Sequence, residues 1–85
     1  MSNPYSNRLS ADKLIEGNTN LVKKYAYFYA GRVQKAAEVE DLLQVGMIGL
    51  IEAAHNYKPK DGVVFESYAR LRIKGSIVDY LRKAS

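Results

Sequence analysis

The chain of 85 residues has no cysteine, no tryptophan and a single histidine. Without cysteine there is no disulfide framework and no thiolate metal site, and a lone histidine has no second ligand at metal-binding spacing. No apolar run approaches the roughly 18 residues that span a bilayer. We therefore predict a soluble, cytoplasmic protein that needs no metal or other cofactor and does not associate with a membrane.

The sequence patterns of nucleotide-binding and catalytic sites are also missing. The segment KPKDG contains a glycine, but it matches neither GxxxxGK[ST] nor GxGxxG, so it predicts no phosphate-binding loop. Glu38, Glu40 and Asp41 gather at a predicted helix start, where carboxylates complement the helix dipole without any catalytic role. We predict that the chain is not an enzyme.

The net charge of +4 is unevenly distributed along the chain. The first 57 residues carry six bases and six acids, whereas the remaining residues carry seven bases and three acids. A basic end on a neutral body is typical of a protein that contacts a polyanion. A solvated face that is balanced by an acidic partner explains the charge equally well.

Hydrophobic periodicity predicts an all-α fold, because apolar residues recur at i, i+3 and i+4 along most of the chain. Residues 1–9 are predicted to form a flexible arm, and residues 10–85 a single helical domain. The predicted architecture is a compact bundle of three main helices with a short N-terminal leader helix. Caps and breakers predict a leader from Ser10 to Gly17, main helices over 20–35, 39–56 and 65–83, and a turn over 57–62.

The predicted helix over 39–56 has one face that core packing does not explain. Val45, Ile48 and Ile51 lie side by side there, opposite the core stripe, with polar residues around them. This pattern predicts a docking site for a basic, partly apolar helix, although another stretch of the same protein would also cover such a face. The polar neighbours are Asp41, Gln44, Glu52 and His55.

Two glycines interrupt the same helix. Gly46 and Gly49 each lower its helix propensity by about 1 kcal/mol relative to alanine. A helix that keeps two such residues is expected to need them, so we predict that a neighbouring backbone approaches closely at these positions.

The predicted helix over 65–83 also carries a second face. Its core stripe is Phe65, Ala69, Ile73, Ile77 and Leu81, and its opposite column is Tyr68, Arg72, Gly75, Asp79 and Arg82. Against nucleic acid, arginine contacts phosphate or guanine, aspartate accepts from cytosine, and tyrosine stacks on an unpaired base. An ion-pair network of Asp79 with the two arginines is the alternative. Such pairs contribute little at a surface and would not require Gly75 or Tyr68.

The stretch DLLQVGMIGLIEAAHNYKPKDGVVFESYARLRIKGSIVDYLRK resembles region 2 of bacterial RNA polymerase sigma factors. The resemblance lies in the pattern DL-x-Q-x-G-x-x-GL followed by F-x-x-YA, and NTNLV at 18–22 is similar to the opening NxxLV of that region. It covers residues 18–83. The ending RIKGSIVDYLRK lacks the paired tryptophans of housekeeping factors and is similar to the flagellar or motility branch.

The resemblance implies that the first face docks on the clamp-helix coiled coil of the polymerase β′ subunit. Val45 stands where housekeeping factors carry an acid, so the electrostatic part of docking differs, and neighbouring Glu40 is placed to compensate. The residues predicted to bind core polymerase are Asp41, Gln44, Val45, Met47, Ile48 and Ile51.

The resemblance also implies that the second face captures bases of the promoter −10 element on the non-template strand and holds the melted DNA open. Leu71 and Arg72 stand at the positions of the missing tryptophans, and in the flagellar branch the positions of Arg72 and Asp79 read a GC-rich −10 element. Asn18 and Leu21 match a pocket for a downstream base. The predicted DNA-binding residues are Asn18, Leu21, Phe65, Tyr68, Arg70, Arg72, Lys74, Gly75, Asp79 and Arg82.

Flagellar-type factors are also held inactive by an anti-sigma protein, which the resemblance adds as a partner. Two other functions are compatible with the residues. One is a helical protein-interaction module without DNA recognition. The other is a double-stranded DNA binder of helix-turn-helix type, against which the long turn YKPKDGVV counts.

Overall fold

A computed structural model of the chain describes residues 4–32, 39–59 and 62–84, with side chains from residue 10 onward. Those residues form four helices and no strand, so the predicted all-α class is confirmed. None of the described helices is long and apolar enough to cross a membrane. The helices are α1 (Pro4–Gly17), α2 (Thr19–Ala30), α3 (Val39–Asn56) and α4 (Phe65–Ala84).

The N-terminal helix differs most from the prediction. It begins at Pro4 and not at Ser10, so residues 4–9, which were predicted to belong to a flexible arm, are helical. Proline is favoured at the first helical position because its fixed φ fits the helix and its missing N–H would have no partner there. Helix α1 has 14 residues and α2 has 12, so the N-terminal helix is as long as a main helix of the bundle.

The later helices follow the predicted boundaries. The observed α3 has the bounds that its sequence predicts, with Glu40 and Asp41 in its first turn. The observed α4 begins at Phe65 and extends one residue beyond the predicted end. Helix α2 ends at Ala30, where the N–H of Gly31 donates to the carbonyl oxygen of Tyr27 (3.1 Å). The predicted extension of α2 over residues 33–35 lies outside the described residues.

The core is formed mainly where α3 packs between α4 and α2. The predicted stripe of α4 is confirmed at Phe65, Ala69, Ile73 and Ile77, which are buried, while Leu81 is half-buried. Helix α2 adds Val22 and Ala26, and α1 adds Ala11. The α3 residues in the core are Leu42, Gly46, Gly49, Leu50, Ala53 and Ala54.

The two glycines of α3 mark its closest approaches to other helices. A Cβ atom at Gly49 would lie 2.8 Å from the carbonyl oxygen of Arg72 and 2.6 Å from Oγ of Ser76. At Gly46 it would lie 3.0 Å from a methyl group of Val22. Distances below about 3 Å leave no room for a side chain, so the predicted close approach of a backbone is confirmed at Gly49, whereas the atoms nearest Gly46 belong to side chains. Arg72 of α4 is thereby fixed beside the middle of α3.

The elbow between α3 and α4 is held by Tyr57. Its hydroxyl donates a hydrogen bond to the carbonyl oxygen of Val63 (2.5 Å), across the turn. Gly62 has φ of 74°, a conformation that glycine adopts without strain, and its N–H donates to the carbonyl oxygen of Pro59 (3.3 Å). These bonds fix the direction in which α4 leaves the turn.

Candidate functional site

The outward face of α3 is apolar at its centre. Ile48 is 54% exposed and Ile51 is 41% exposed, and Gln44 is exposed beside them. Asp41, Val45 and Met47 are half-buried, and the last two pack against the core. We call Gln44, Val45, Ile48 and Ile51 the docking face. Met47 is packed against the core in the same way as Val45, and its predicted contact with polymerase stays a prediction.

A groove between α3 and α4 borders the docking face. It has a volume of about 250 Å³ and is lined by Val45, Ile48, Ser76, Asp79, Tyr80 and Lys83. Asp79 forms an ion pair with Lys83, one helical turn later, with Nζ of Lys83 3.6 Å from Oδ2 of Asp79. The sequence assigned Asp79 to the opposite column of α4, whereas the structure brings it into one groove with Val45. Asp79 therefore lies where the two faces meet.

Arg72 is held by two neighbours on different helices. Its Nη2 donates to Oε1 of Glu52 on α3 (3.0 Å), and its Nη1 donates to the hydroxyl of Tyr68 on α4 (3.2 Å). The alternative of an ion pair between Arg72 and Asp79 is not formed among the described residues, where Asp79 pairs with Lys83. The sequence did not predict the contact between Arg72 and Glu52, because the two residues are twenty positions apart in the chain.

Three aromatic rings are packed at the elbow. Phe65 is only 7% exposed, and its ring meets that of Tyr57 edge to face, with 5.2 Å between the centroids. Tyr57 in turn lies 6.0 Å from Tyr68, at an interplanar angle of 33°. The DNA contact predicted for Phe65 stays a prediction, and in this structure its ring is buried and packs against Tyr57. Tyr57 was missed as a site residue, because its ring contacts with Phe65 and Tyr68 depend on how the chain folds back across the elbow.

A pocket opens beside these rings. It has a volume of about 240 Å³ and is lined by Asn56, Tyr57, Lys58, Val63 and Tyr68. Two aromatic walls and one lysine are suited to a flat, negatively charged ligand, because rings stack and the ammonium attracts a phosphate. The structure thus joins Tyr68 to residues of the elbow that the helical wheel does not include.

The remaining basic residues of α4 are exposed. Lys74 and Arg82 are at the surface, and Arg70 forms an ion pair with Glu66 one turn earlier. Gly75 is exposed, and a Cβ atom there would have nothing within 4 Å. We call Tyr68, Arg72, Gly75 and Arg82 the α4 column, and exposed Lys74 flanks it. Leu71, which is 72% exposed, lies beside it.

Asn18 and Leu21 lie at the junction of α1 and α2. The side-chain amide of Asn18 donates to the carbonyl oxygen of Leu14 (2.8 Å), and its N–H donates to that of Ile15 (3.1 Å). Leu21 is half-buried against the core. Both residues therefore have structural tasks, and neither lines the pocket beside Tyr68. Among the described residues, no group of three acidic or histidine side chains is placed to hold a metal ion.

This chain belongs to the Sigma-70 region 2 family, whose family model matches residues 14–85. Its relatives include the flagellar sigma factors. It is 47% identical over 74 residues to RNA polymerase sigma factor FliA of Pseudomonas aeruginosa, covering 87% of this chain and 30% of that protein. It is 34% identical over 71 residues to the RNA polymerase sigma-D factor of Bacillus subtilis, covering 75% of this chain and 28% of that protein.

A solved structure shares the fold. The cocrystal structure of the flagellar sigma/anti-sigma complex, Sigma-28/FlgM, matches with a TM-score of 0.79 and 41% identity, over 98% of this chain and 37% of that chain. The chain thus spans about 30% of the length of the curated relatives above. The family resemblance inferred from the DL-x-Q-x-G-x-x-GL and F-x-x-YA patterns, and its flagellar branch, are confirmed.

Proposed function

We propose that this sigma factor domain binds core RNA polymerase through the docking face and recognises and melts the promoter −10 element through the α4 column. The observation that carries the proposal is that both faces lie on one helix pair, α3 and α4, whose backbones meet at Gly49. Binding of polymerase at the docking face therefore fixes the position of the α4 column relative to the polymerase. This role requires no catalytic chemistry from the chain.

The docking face suits a helical partner. Ile48 and Ile51 offer exposed apolar area, and Gln44 offers a side-chain amide next to them. A helix that lays apolar residues into such a surface gains most of its binding energy from a few central contacts. We propose the clamp-helix coiled coil of the β′ subunit as this partner, with Asp41 at the rim and Met47 as a further contact.

The α4 column suits a single strand of DNA. Tyr68 borders a pocket with room for one base, and exposed Lys74 is free of ion pairs among the described residues. A strand binds such a surface by stacking its bases on aromatic rings and by placing its phosphates against cations. We propose that the non-template strand of the −10 element lies along this column, from Tyr68 to Arg82, with Arg70 and Lys74 as further basic contacts.

The elbow connects the two proposed activities. Tyr57 contacts Val63 by a hydrogen bond and both Phe65 and Tyr68 through its ring. A base that flips out of the DNA loses its stacking on neighbouring bases. In the pocket beside Tyr68 it would gain contacts with the rings of Tyr57 and Tyr68 instead. We propose that capture of a flipped base here holds the melted promoter open.

An anti-sigma factor is a further proposed partner. The solved neighbour is a flagellar sigma/anti-sigma complex, and the described part of this chain has its fold. The exposed isoleucines of the docking face give such a protein a surface to cover. Competition between an anti-sigma factor and the clamp-helix fragment for this chain would support the proposal.

The decisive experiment titrates the chain with a single-stranded non-template oligonucleotide carrying a −10 element, with and without a β′ clamp-helix fragment. We expect salt-sensitive binding that the fragment strengthens, because phosphate contacts release counterions. Gln44→Ala should weaken fragment binding and leave sequence preference unchanged, while Arg72→Ala should relax the preference. Arg32→Ala removes an equal charge from an exposed residue just beyond α2 and serves as the control.

The alternative is a helical protein-interaction module without DNA recognition. In that case substitutions of Tyr68 and Gly75 would leave oligonucleotide binding unchanged and would weaken the binding of a protein partner. If the chain binds neither the oligonucleotide nor the fragment when both are present, the proposed function is wrong.

A further inference from the structure

We infer that Glu52 is a positioning residue for the Arg72 guanidinium and directs it to read a base edge instead of anchoring a phosphate. The inference rests on the proposed DNA binding by the α4 column. It adds a residue from α3, the helix to which only partner docking has been assigned so far.

The helix crossing places Glu52 beside Arg72. A Cβ atom at Gly49 would lie 2.8 Å from the carbonyl oxygen of Arg72, so the two backbones are in contact at this point. Glu52 lies three residues after Gly49, almost one turn further along the same side of α3. Its Oε1 reaches Nη2 of Arg72 at 3.0 Å. The carboxylate position is therefore set by helix packing.

The two contacts of Arg72 fix the plane of its guanidinium. Glu52 accepts from Nη2, and the hydroxyl of Tyr68 accepts from Nη1 at 3.2 Å. A guanidinium has five N–H donors in one rigid plane, so these two bonds orient it and leave further donors unused. A planar pair of acceptors, such as the O6 and N7 atoms of guanine, is the ligand that such a fork matches best.

The charge of Glu52 disfavours a phosphate at the same place. A phosphate that approaches Arg72 meets the carboxylate 3.0 Å from Nη2, and the opposite charges of the pair largely cancel. A phosphate is therefore disfavoured at Arg72, and the free donors of its guanidinium remain available to a base edge.

The ion pair is too exposed to be explained by stability. The side chains of Arg72 and Glu52 are 37% and 53% exposed, and pairs with such exposure contribute little to folding. A substitution at Glu52 is therefore expected to leave the fold intact and to act on recognition. Glu16 on α1 is also exposed and forms no ion pair among the described residues, so Glu16→Gln is a charge-matched control.

The experiment compares the wild-type chain, Glu52→Gln and Glu16→Gln, each with the β′ clamp-helix fragment. The probes are a GC-rich −10 non-template oligonucleotide, versions with one guanine replaced by adenine, and a scrambled oligonucleotide. For Glu52→Gln we expect discrimination against the most disfavoured replacement to fall by about fivefold, because the arginine fork is no longer aligned. The salt dependence should steepen by about 0.7 in log–log slope, because Arg72 then contacts one phosphate.

The outcomes separate this inference from the proposed function. If the wild-type chain binds the −10 and scrambled oligonucleotides equally well, the proposed function fails, and the role of Glu52 fails with it. If the wild-type chain discriminates and Glu52→Gln matches it in both discrimination and salt slope, only the inference is overturned. A thermal midpoint clearly lower for Glu52→Gln than for Glu16→Gln would make Glu52 a structural residue and would also overturn it.

A DNA-free readout tests the positioning directly. The side-chain ¹⁵N–¹H signals of Arg72 should show slowed rotation of the guanidinium in the wild-type chain and in Glu16→Gln. In Glu52→Ala the rotation should be fast, because one of the two anchoring bonds is lost. Equal rotation rates in the wild-type chain and Glu52→Ala would overturn the inference.

Discussion

The docking face of α3 and the column of α4 lie on the same helix pair, but their side chains are held in different ways. The centre of the docking face consists of Ile48 and Ile51, which are exposed and make no polar contact. In the column, Arg72 is bonded to both Glu52 and Tyr68. An apolar surface can adapt to its partner, whereas a hydrogen-bonding group must be oriented before it can distinguish one ligand from another.

The shared support beneath both faces gives the largest expected effect. Ile73 is fully buried at the α3–α4 contact, so Ile73→Ala should lower the free energy of unfolding by about 2–5 kcal/mol and weaken both proposed bindings. Leu71 is 72% exposed on the same helix, and Leu71→Ala should change stability by less than about 0.5 kcal/mol. Urea unfolding measures both. Similar losses from the two substitutions would show that α4 has no distinct inner and outer sides.

The glycines provide the next test. A Cβ at Gly49 would lie 2.8 Å from a backbone oxygen, so Gly49→Ala should destabilise the fold by about 1–3 kcal/mol and disturb both faces. Gly75 has open space around it, so Gly75→Ala should stabilise α4 by about 0.5–1 kcal/mol through helix propensity. Thermal unfolding of the two variants checks the signs. A stabilising Gly49→Ala would contradict the close helix approach.

A single substitution on the docking face should separate the two bindings. Ile48→Ser removes exposed apolar area, so we expect binding of the β′ clamp-helix fragment to weaken by about tenfold with unchanged stability. Oligonucleotide binding measured without the fragment should not change. Val64→Ser, at a residue that is 64% exposed near the elbow, is the matched control. If Val64→Ser weakens fragment binding as much as Ile48→Ser does, the docking face is misplaced.

The smallest effect is expected at the elbow. Tyr57→Phe removes the hydrogen bond to the Val63 carbonyl and should lower the free energy of unfolding by about 0.5–1.5 kcal/mol. It should weaken oligonucleotide binding slightly, because the wall of the pocket beside Tyr68 loosens, and leave fragment binding unchanged. Tyr27→Phe is the control, since this hydroxyl forms no hydrogen bond among the described residues and the ring is 61% exposed. Chemical unfolding and fluorescence titration measure these effects.

Much of the fold was predictable because its signals are local. The bounds of α3 follow from the acids of its first turn and from the polar elbow after Asn56, and the burial of Ile73 and Ile77 follows from spacing by four. The start of α1 was not predictable in this way. Pro4 is compatible both with a loose arm and with the first position of a helix.

The candidate site was predictable only in part. Helical periodicity alone placed Ile48 and Ile51 on an outward face, and their exposure confirms it. Periodicity also placed Phe65 in the core stripe, and its buried ring confirms this, while the DNA contact that the family resemblance gave it stays a prediction. The neighbours of Asp79 in the groove were missed, because a helical wheel shows each helix alone and gives no register between two helices.

The sequence by itself determined four things about this protein: the helical class, the inner stripe of α4, the basic end and the sigma region 2 pattern. All four features follow from composition and from hydrophobic periodicity, and both can be read from residues that are close together in the sequence. Only the tertiary structure decided that Glu52 meets Arg72 and that Val45 and Asp79 share a groove. Such contacts join residues far apart in the chain, and they are fixed by how closely the helices approach at Gly49.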